Sequence, residues 1–373
     1  MDAVNLSRKG EGSVMKEMNR REFLVASAAA GATLVAGNML TGGPSVAHAS
    51  VNIPEVDKLV ITVITDNYYD CLRWNYKVAK RQVKCPGASS IWKGFSFHAE
   101  HGLSYYIETT VNGKSNAFMF DYGMDFEGVS KNMDILGIDL NKVEALGLSH
   151  GHLDHWGNLI PMLKANDKIR KGIYLYVGGD AFDNKFAKLP PVYKPLDGLA
   201  DLGQLNRPEL ESLDRVKIVQ VKEPTEMVPG AYLTGDIERV TAYEKGSPIL
   251  MVKKGDKMVR DYFTGEQSIM FNVKGKGLVV LSSCAHSGIV NTVKHAQKVT
   301  GIDKVHMVIG GFHLTGAPPN VINQTIADIK AVSPDYVVPM HCAGFEAISG
   351  FQRAMPEQFI INVAGTRYEL TGV

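Results

Sequence analysis

Cysteine is scarce in this sequence: four residues in 373. That density excludes a small scaffold stapled by disulfides. Charge of one sign is equally lacking, since 40 basic residues against 39 acidic ones leave a formal charge of +1. A nucleic-acid-binding surface needs a basic surplus or a basic stripe, and neither is present. The composition therefore favours a protein that meets small molecules and not nucleic acid. Past residue 50 there is no internal repeat and no low-complexity tract. What remains is ordinary globular composition, 45% hydrophobic and 21% charged, in a chain long enough to bury a substantial core.

The first fifty residues follow different rules. Arg20-Arg21 stands just before Phe23-Leu24 and a mildly apolar stretch rich in Ala and Gly that runs to about Leu40. It ends near Ala47-His48-Ala49, a small-x-small cleavage pattern. A charged start, an apolar middle and a small-residue exit describe a secretory signal, and the paired arginines point to the twin-arginine route. Residues 1–49 are thus expected to be a signal read by the twin-arginine export machinery, with the mature protein periplasmic or otherwise exported. Large aliphatics are too few there for a stable span, so an uncleaved membrane tether is the lesser expectation.

From residue 50 onward strands alternate with helices, which predicts an α/β layered domain over 50–373. Strands are expected at 58–65, 103–110, 117–121, 143–148, 268–273, 278–282, 305–309 and 336–339, with a final pair within 359–370. Helices are expected at 126–136 (stopped by Gly137), 159–164, 289–299 and 321–331. The stretch 188–262 is less regular, with strand-like pieces at 216–221 and 231–233, and reads as an insertion covering the site.

The chemistry gathers around Ser149-His150-Gly151-His152-Leu153-Asp154-His155, directly after the apolar strand 143–148. Imidazole and carboxylate suit borderline divalent metals. If 150–152 is extended, His150 and His152 point the same way and chelate one ion; a turn into a helix then swings Asp154 and His155 toward a second. Gly151 permits the bend. Three further histidines follow strand ends beside small residues: His286 in Cys284-Ala285-His286-Ser287-Gly288, His313 in Gly310-Gly311-Phe312-His313, and His341 in His341-Cys342-Ala343-Gly344. Cys284 and Cys342 stand beside these histidines and belong with the site, whereas Cys71 and Cys85 share a polar segment. His98, His101, His295 and His306 lack that context and read as structural or surface residues, although Glu100-His101-Gly102 adjoins a strand start.

The His150–His155 run resembles the His-x-His-x-Asp-His signature of the metallo-β-lactamase superfamily. More narrowly, Ala99-Glu100-His101-Gly102-Leu103-Ser104, the run from Cys284 to Asn291, Gly310-Gly311-Phe312-His313-Leu314 and His341-Cys342-Ala343-Gly344 look like its dihydropterin-ribofuranosylaminobenzene-phosphate-synthase-like branch. The resemblance covers nearly the whole chain after the signal. It implies a four-layer αββα sandwich with two divalent metal ions at the strand ends, zinc first and iron or manganese next. By the motif, His150 and His152 would hold one ion and Asp154 and His155 the other, with His341 the last ligand histidine and His286 the remaining one. Many members carry Gly-Asp where this chain has Ser283-Cys284, so the bridging position is open among Cys284, His286 and His313. Asp236, in Thr234-Gly235-Asp236, ranks behind these because it precedes the 278–282 strand.

The resemblance further implies a hydrolase in which metal-activated water attacks a small-molecule ester, a phosphoester ahead of a lactone, thioester or sulfate ester. Asp154 is the expected catalytic acid/base, and Asp121 the carboxylate that orients an imidazole. A metal-binding sensor, or a non-catalytic member of the fold, is the alternative. A diiron oxidoreductase of this fold would carry Glu in place of His152 and a flavin domain, and the chain has neither.

Overall fold

The computed structural model describes residues 51–81, 96–189 and 198–373. The twin-arginine segment, its cleavage pattern and Cys85 lie outside the described residues.

Two sheets form the centre. One has eight strands in the order Val216–Val221, Ile173–Gly178, Val143–Leu148, Lys114–Tyr122, Ser104–Val111, Lys58–Thr65, Thr366–Thr371 and Ala79–Arg81. The other runs Thr225–Val228, Ala231–Leu233, Ile269–Val273, Gly277–Ser282, Val305–Gly311 and Tyr336–Met340, with Glu55–Val56 pairing alongside Ile269–Val273. Period-two alternation explains why they stack. In Lys58–Thr65, Leu59, Ile61 and Val63 face the core between the sheets, while Ile64 points to the opposite side. In Ile269–Val273 the odd positions face that same core and Met270 faces outward. Each sheet is therefore apolar on both faces, and an apolar outer face must be covered.

Helices supply the cover. Ile289–Thr300, Pro319–Val332 and Gly344–Ala354 pack on the outer face of the second sheet, and Phe126–Leu136 and Leu159–Ala165 on that of the first. The result is the α-β-β-α sandwich. The Phe126–Leu136 helix shows how local the instructions are. Asp125 accepts a hydrogen bond from the Gly128 N–H at its start, and Gly137 takes the left-handed conformation (φ 66°) that ends it.

Within 188–262, Val216–Val221 and Ala231–Leu233 extend the two main sheets. Leu250–Lys254 and Lys257–Arg260 instead join Lys185–Lys188 and Leu199–Gly203 in a separate four-stranded sheet. The expected final strand pair is a single strand, Thr366–Thr371. Phe359 makes only an isolated bridge to Val337, and Gly365 (φ 80°) turns the chain before pairing resumes.

Strand direction positions the site. Lys114–Tyr122 and Val143–Leu148 run parallel, as do Gly277–Ser282, Val305–Gly311 and Tyr336–Met340. Their C-terminal ends deliver Asp121, His150, Cys284, His313 and His341 to one edge of the sandwich.

Candidate metal centre

The backbone at this edge is held in conformations that side chains rarely adopt. Nine described non-glycine residues have positive φ, and Asp121, Phe263, Ala285, His313 and His341 are among them. Such strain persists only where surrounding contacts over-determine it, and its concentration here marks a site built for function.

The histidine run begins as expected. His152 is extended (φ −87°, ψ 145°), caps the short Leu153–Trp156 helix, and brings its Nδ1 within 3.1 Å of His150 Nε2. His286 Nε2 lies 3.2 Å from the same His150 nitrogen. These three imidazoles form one cluster whose ligand atoms fall within 4.8 Å of one another. Gly151 serves close approach and not a left-handed bend: a Cβ there would stand 2.7 Å from the Ala181 carbonyl oxygen.

A second cluster centres on Asp154. Its Oδ2 is 3.3 Å from His341 Nε2, 3.4 Å from His155 Nε2 and 3.6 Å from His101 Nε2. His101 corrects the reading of a default surface residue: though its side chain is 64% exposed, it stacks on His341 with ring centroids 4.8 Å apart. His98, His295 and His306 keep structural partners in Glu100, the Thr234 carbonyl and Asp335. Asp236 is exposed and belongs to none of the metal-ligating clusters among the described residues.

Cys284 stands between the clusters, its Sγ 3.2 Å from His155 Nε2. Its sulfur is also 3.3 Å from Cys342 Sγ, to which the His313 N–H donates at 3.3 Å. Cys284, His313 and Cys342 make a third cluster of ligand atoms, and Cys284 also groups with His150 and His155. Gly311 makes this possible, since a Cβ there would meet the Ser283 carbonyl oxygen at 2.1 Å and Cys342 Sγ at 2.8 Å.

Buried carboxylates fix these loops. Asp121 accepts from the Ser149 N–H at 2.8 Å and the Ser149 hydroxyl at 2.7 Å, bonds His155 Nδ1 at 2.7 Å, and also receives the Ser283 hydroxyl. Glu266 takes the N–H groups of His286 and Ser287, each at 2.7 Å. Asp66 takes the His341 N–H at 3.0 Å, and Asn67 Oδ1 lies 3.1 Å from His341 Nδ1. Phe263 stacks flat on His286, centroids 3.8 Å apart.

Electrostatics prepare the imidazoles as ligands. Burial pushes His150 and His286 well below the ordinary imidazole range, and His152 to about 3, so all three are neutral near pH 7. Burial opposes charge on His155 too, but Asp154 and Asp121 on either side raise it well above the usual value. Burial would likewise raise Asp154, yet the adjoining His155 holds it well below the carboxylate range.

The residues fit divalent ions. His150 Nε2 faces His152 Nδ1 at 3.1 Å and His286 Nε2 at 3.2 Å, and His313 Nδ1 and His341 Nε2 are buried without a hydrogen-bond partner. So many imidazole nitrogens turned toward one another would be costly in an ordinary core. They are accounted for if the lone pairs at this edge go to metal, and the carboxylates of Asp121 and Asp154 on either side of His155 mark where positive charge is wanted.

A cavity of about 770 Å³ opens onto all three clusters. Met124, Leu153, Leu202, Ile249 and Leu250 give it an aliphatic wall, and no lysine or arginine lines it among the described residues.

No family model matches the sequence. It is similar to the 7,8-dihydropterin-6-methyl-4-(β-D-ribofuranosyl)-aminobenzene-5'-phosphate synthase of Methanocaldococcus jannaschii, 33% identical over 70% of this chain and 87% of that protein. An uncharacterised protein of the same organism is 28% identical over 68% of this chain and 88% of its own length. Among solved structures, one described as a metal-dependent hydrolase of the β-lactamase superfamily aligns with a TM-score of 0.63 at 23% identity, covering 84% of this chain and 99% of that one.

Proposed function

Because the chain belongs to the dihydropterin-ribofuranosylaminobenzene-phosphate-synthase-like branch of the metallo-β-lactamase superfamily, we propose that it is an exported, metal-dependent hydrolase of a small-molecule phosphoester. The observation that carries this reading is the meeting of the His150/His152/His286 and His101/Asp154/His341 clusters at the floor of one cavity.

Divalent ions in such a pair of sites acidify a water and polarise the oxygens of an ester. The chain's residues do the rest. His150, His152 and His286 would hold one ion, and Asp154, His155 and His341 the other. Asp121 fixes the His155 ring through Nδ1, so that Nε2 faces the site. Asp154, with three imidazole nitrogens converging on Oδ2 and its carboxyl held ionised, fits a ligand better than a proton carrier. The cavity has no cationic side chain among the described residues, so the negative charge of a phosphoester would be met by the ions. Its aliphatic wall would take an apolar leaving group.

The Methanocaldococcus relative is a synthase, which favours a second reading in which an organic nucleophile replaces water. Assay of purified protein against aryl phosphodiesters, phosphomonoesters and lactones, in water enriched in oxygen-18, separates these readings. Phosphodiester cleavage with label in the phosphate product, abolished in a folded His152→Ala variant, is expected. Unlabelled product or an unaffected variant would refute the hydrolase reading.

A further inference from the structure

The mechanism above leaves one cluster without a task. We propose that Cys284, His313 and Cys342 form a third metal site, rich in thiolate and suited to a soft or borderline ion such as zinc. It adjoins the imidazole–carboxylate pair, for Cys284 Sγ also lies 3.2 Å from His155 Nε2, but it adds His313 and Cys342, which that pair does not use, and it does not rest on the hydrolase reading.

Geometry is the first support. The two sulfurs lie 3.3 Å apart in a setting where both cysteines are about 95% buried or more. A disulfide would need about 2.05 Å. A tetrahedral ion with metal–sulfur bonds of about 2.3 Å holds its two sulfurs about 3.7 Å apart. The observed separation is much nearer the second value. A shift of a few tenths of an ångström would complete the bite, whereas a disulfide would have to close the sulfur gap by more than an ångström.

The third donor is independent of the sulfurs. His313 Nδ1 is buried and has no hydrogen-bond partner, and all three ligand atoms lie within 4.8 Å of one another. Its own backbone is strained to bring it there (φ 44°), and the His313 N–H donates to Cys342 Sγ at 3.3 Å, as backbone amides do to metal-bound thiolates. A buried imidazole nitrogen beside two buried thiols has no better role in a core than ligation.

Placement suggests use. Cys284, His313 and Cys342 all line the 770 Å³ cavity, so the fourth position of a tetrahedral ion would face it. Two Cys and one His with an open position is a ligand set that accepts an exchangeable group. The site would therefore anchor a carboxylate, thiol or phosphate of whatever occupies the cavity. Thiolates select zinc, cobalt or cadmium over manganese, so the two kinds of site should sort metals.

The test is a metal titration of the reduced, metal-free full chain, with bound metal counted by elemental analysis and cobalt read by its sulfur-to-metal absorption. Wild type should bind three zinc ions but two manganese ions. Cys342→Ser should bind one zinc fewer, keep both manganese ions and lose most of the cobalt–sulfur band. His313→Ala, at a partly exposed residue, should also lose one zinc ion, and stands in if the serine variant fails to fold. In contrast, His152→Ala should lose manganese and keep the cobalt–sulfur band, which separates failure of the two-ion reading from failure of this one. Equal zinc and manganese counts in wild type, with an unchanged cobalt spectrum in Cys342→Ser, would overturn the third site.

Discussion

At the scale of single residues, the carboxylate of Asp121 does more than any ligand-free side chain near the centre. It is fully buried, bonds Ser149 and Ser283, and fixes His155 through Nδ1. Asp121→Asn keeps the shape but removes the charge that orients and strengthens the imidazole. Metal affinity should fall by about 10- to 100-fold, measured by competition against a chelating dye; an unchanged affinity would mean that His155 is not a ligand. Much of this scale was legible in the sequence, because His150, His152, Asp154 and His155 are adjacent and their geometry is local. His101 was not. Its approach to Asp154 and His341 depends on which strands become neighbours, and no spacing within Glu100-His101-Gly102 records that. Glu266 and Phe263 were missed for the same reason: each supports His286 from a loop some 20 residues away in sequence.

At the scale of elements, the small sheet of Lys185–Lys188, Leu199–Gly203, Leu250–Lys254 and Lys257–Arg260 forms a wall of the cavity through Ala187, Leu202 and Leu250. It is tied to the centre by Lys185, which is wholly buried. The Lys185 ammonium lies 2.8 Å from Asp261, 3.5 Å from Asp180 and 4.9 Å from the centre of the Phe263 ring. Phe263 in turn stacks on His286, so the wall and a metal-site histidine share one contact chain. Lys185→Met would strand two buried carboxylates and should cost about 3–5 kcal/mol in denaturant unfolding. Adding Asp261→Asn should recover part of that loss; no recovery would show that the pair is not what anchors the sheet. The helix at Phe126–Leu136 could be read from the sequence because its cap and its glycine stop are local signals. The small sheet could not, since Lys185–Lys188 pairs with Leu250–Lys254 across more than 60 residues and its exposed faces weaken the alternation. The final segment failed for a different reason: apolar residues around Phe359 are buried by packing, with only an isolated bridge to Val337.

At the scale of the whole molecule, two sheets with parallel strand ends place residues from every part of the described chain at one edge, from Asp66 to His341. The fold class followed from alternating strands and helices, and the motif indicated which edge would matter. The thiol cluster needed the structure, because Cys284 and Cys342 meet only when Gly277–Ser282 and Tyr336–Met340 flank the same central strand. The central claim is that the imidazole–carboxylate clusters bind the ions that carry out catalysis. It is tested most directly by restoring manganese stepwise to chelator-stripped protein while following cleavage of a chromogenic phosphodiester. Activity should be absent without metal, rise with added ion and level off at two ions per chain. Full turnover by the metal-free protein would contradict the account.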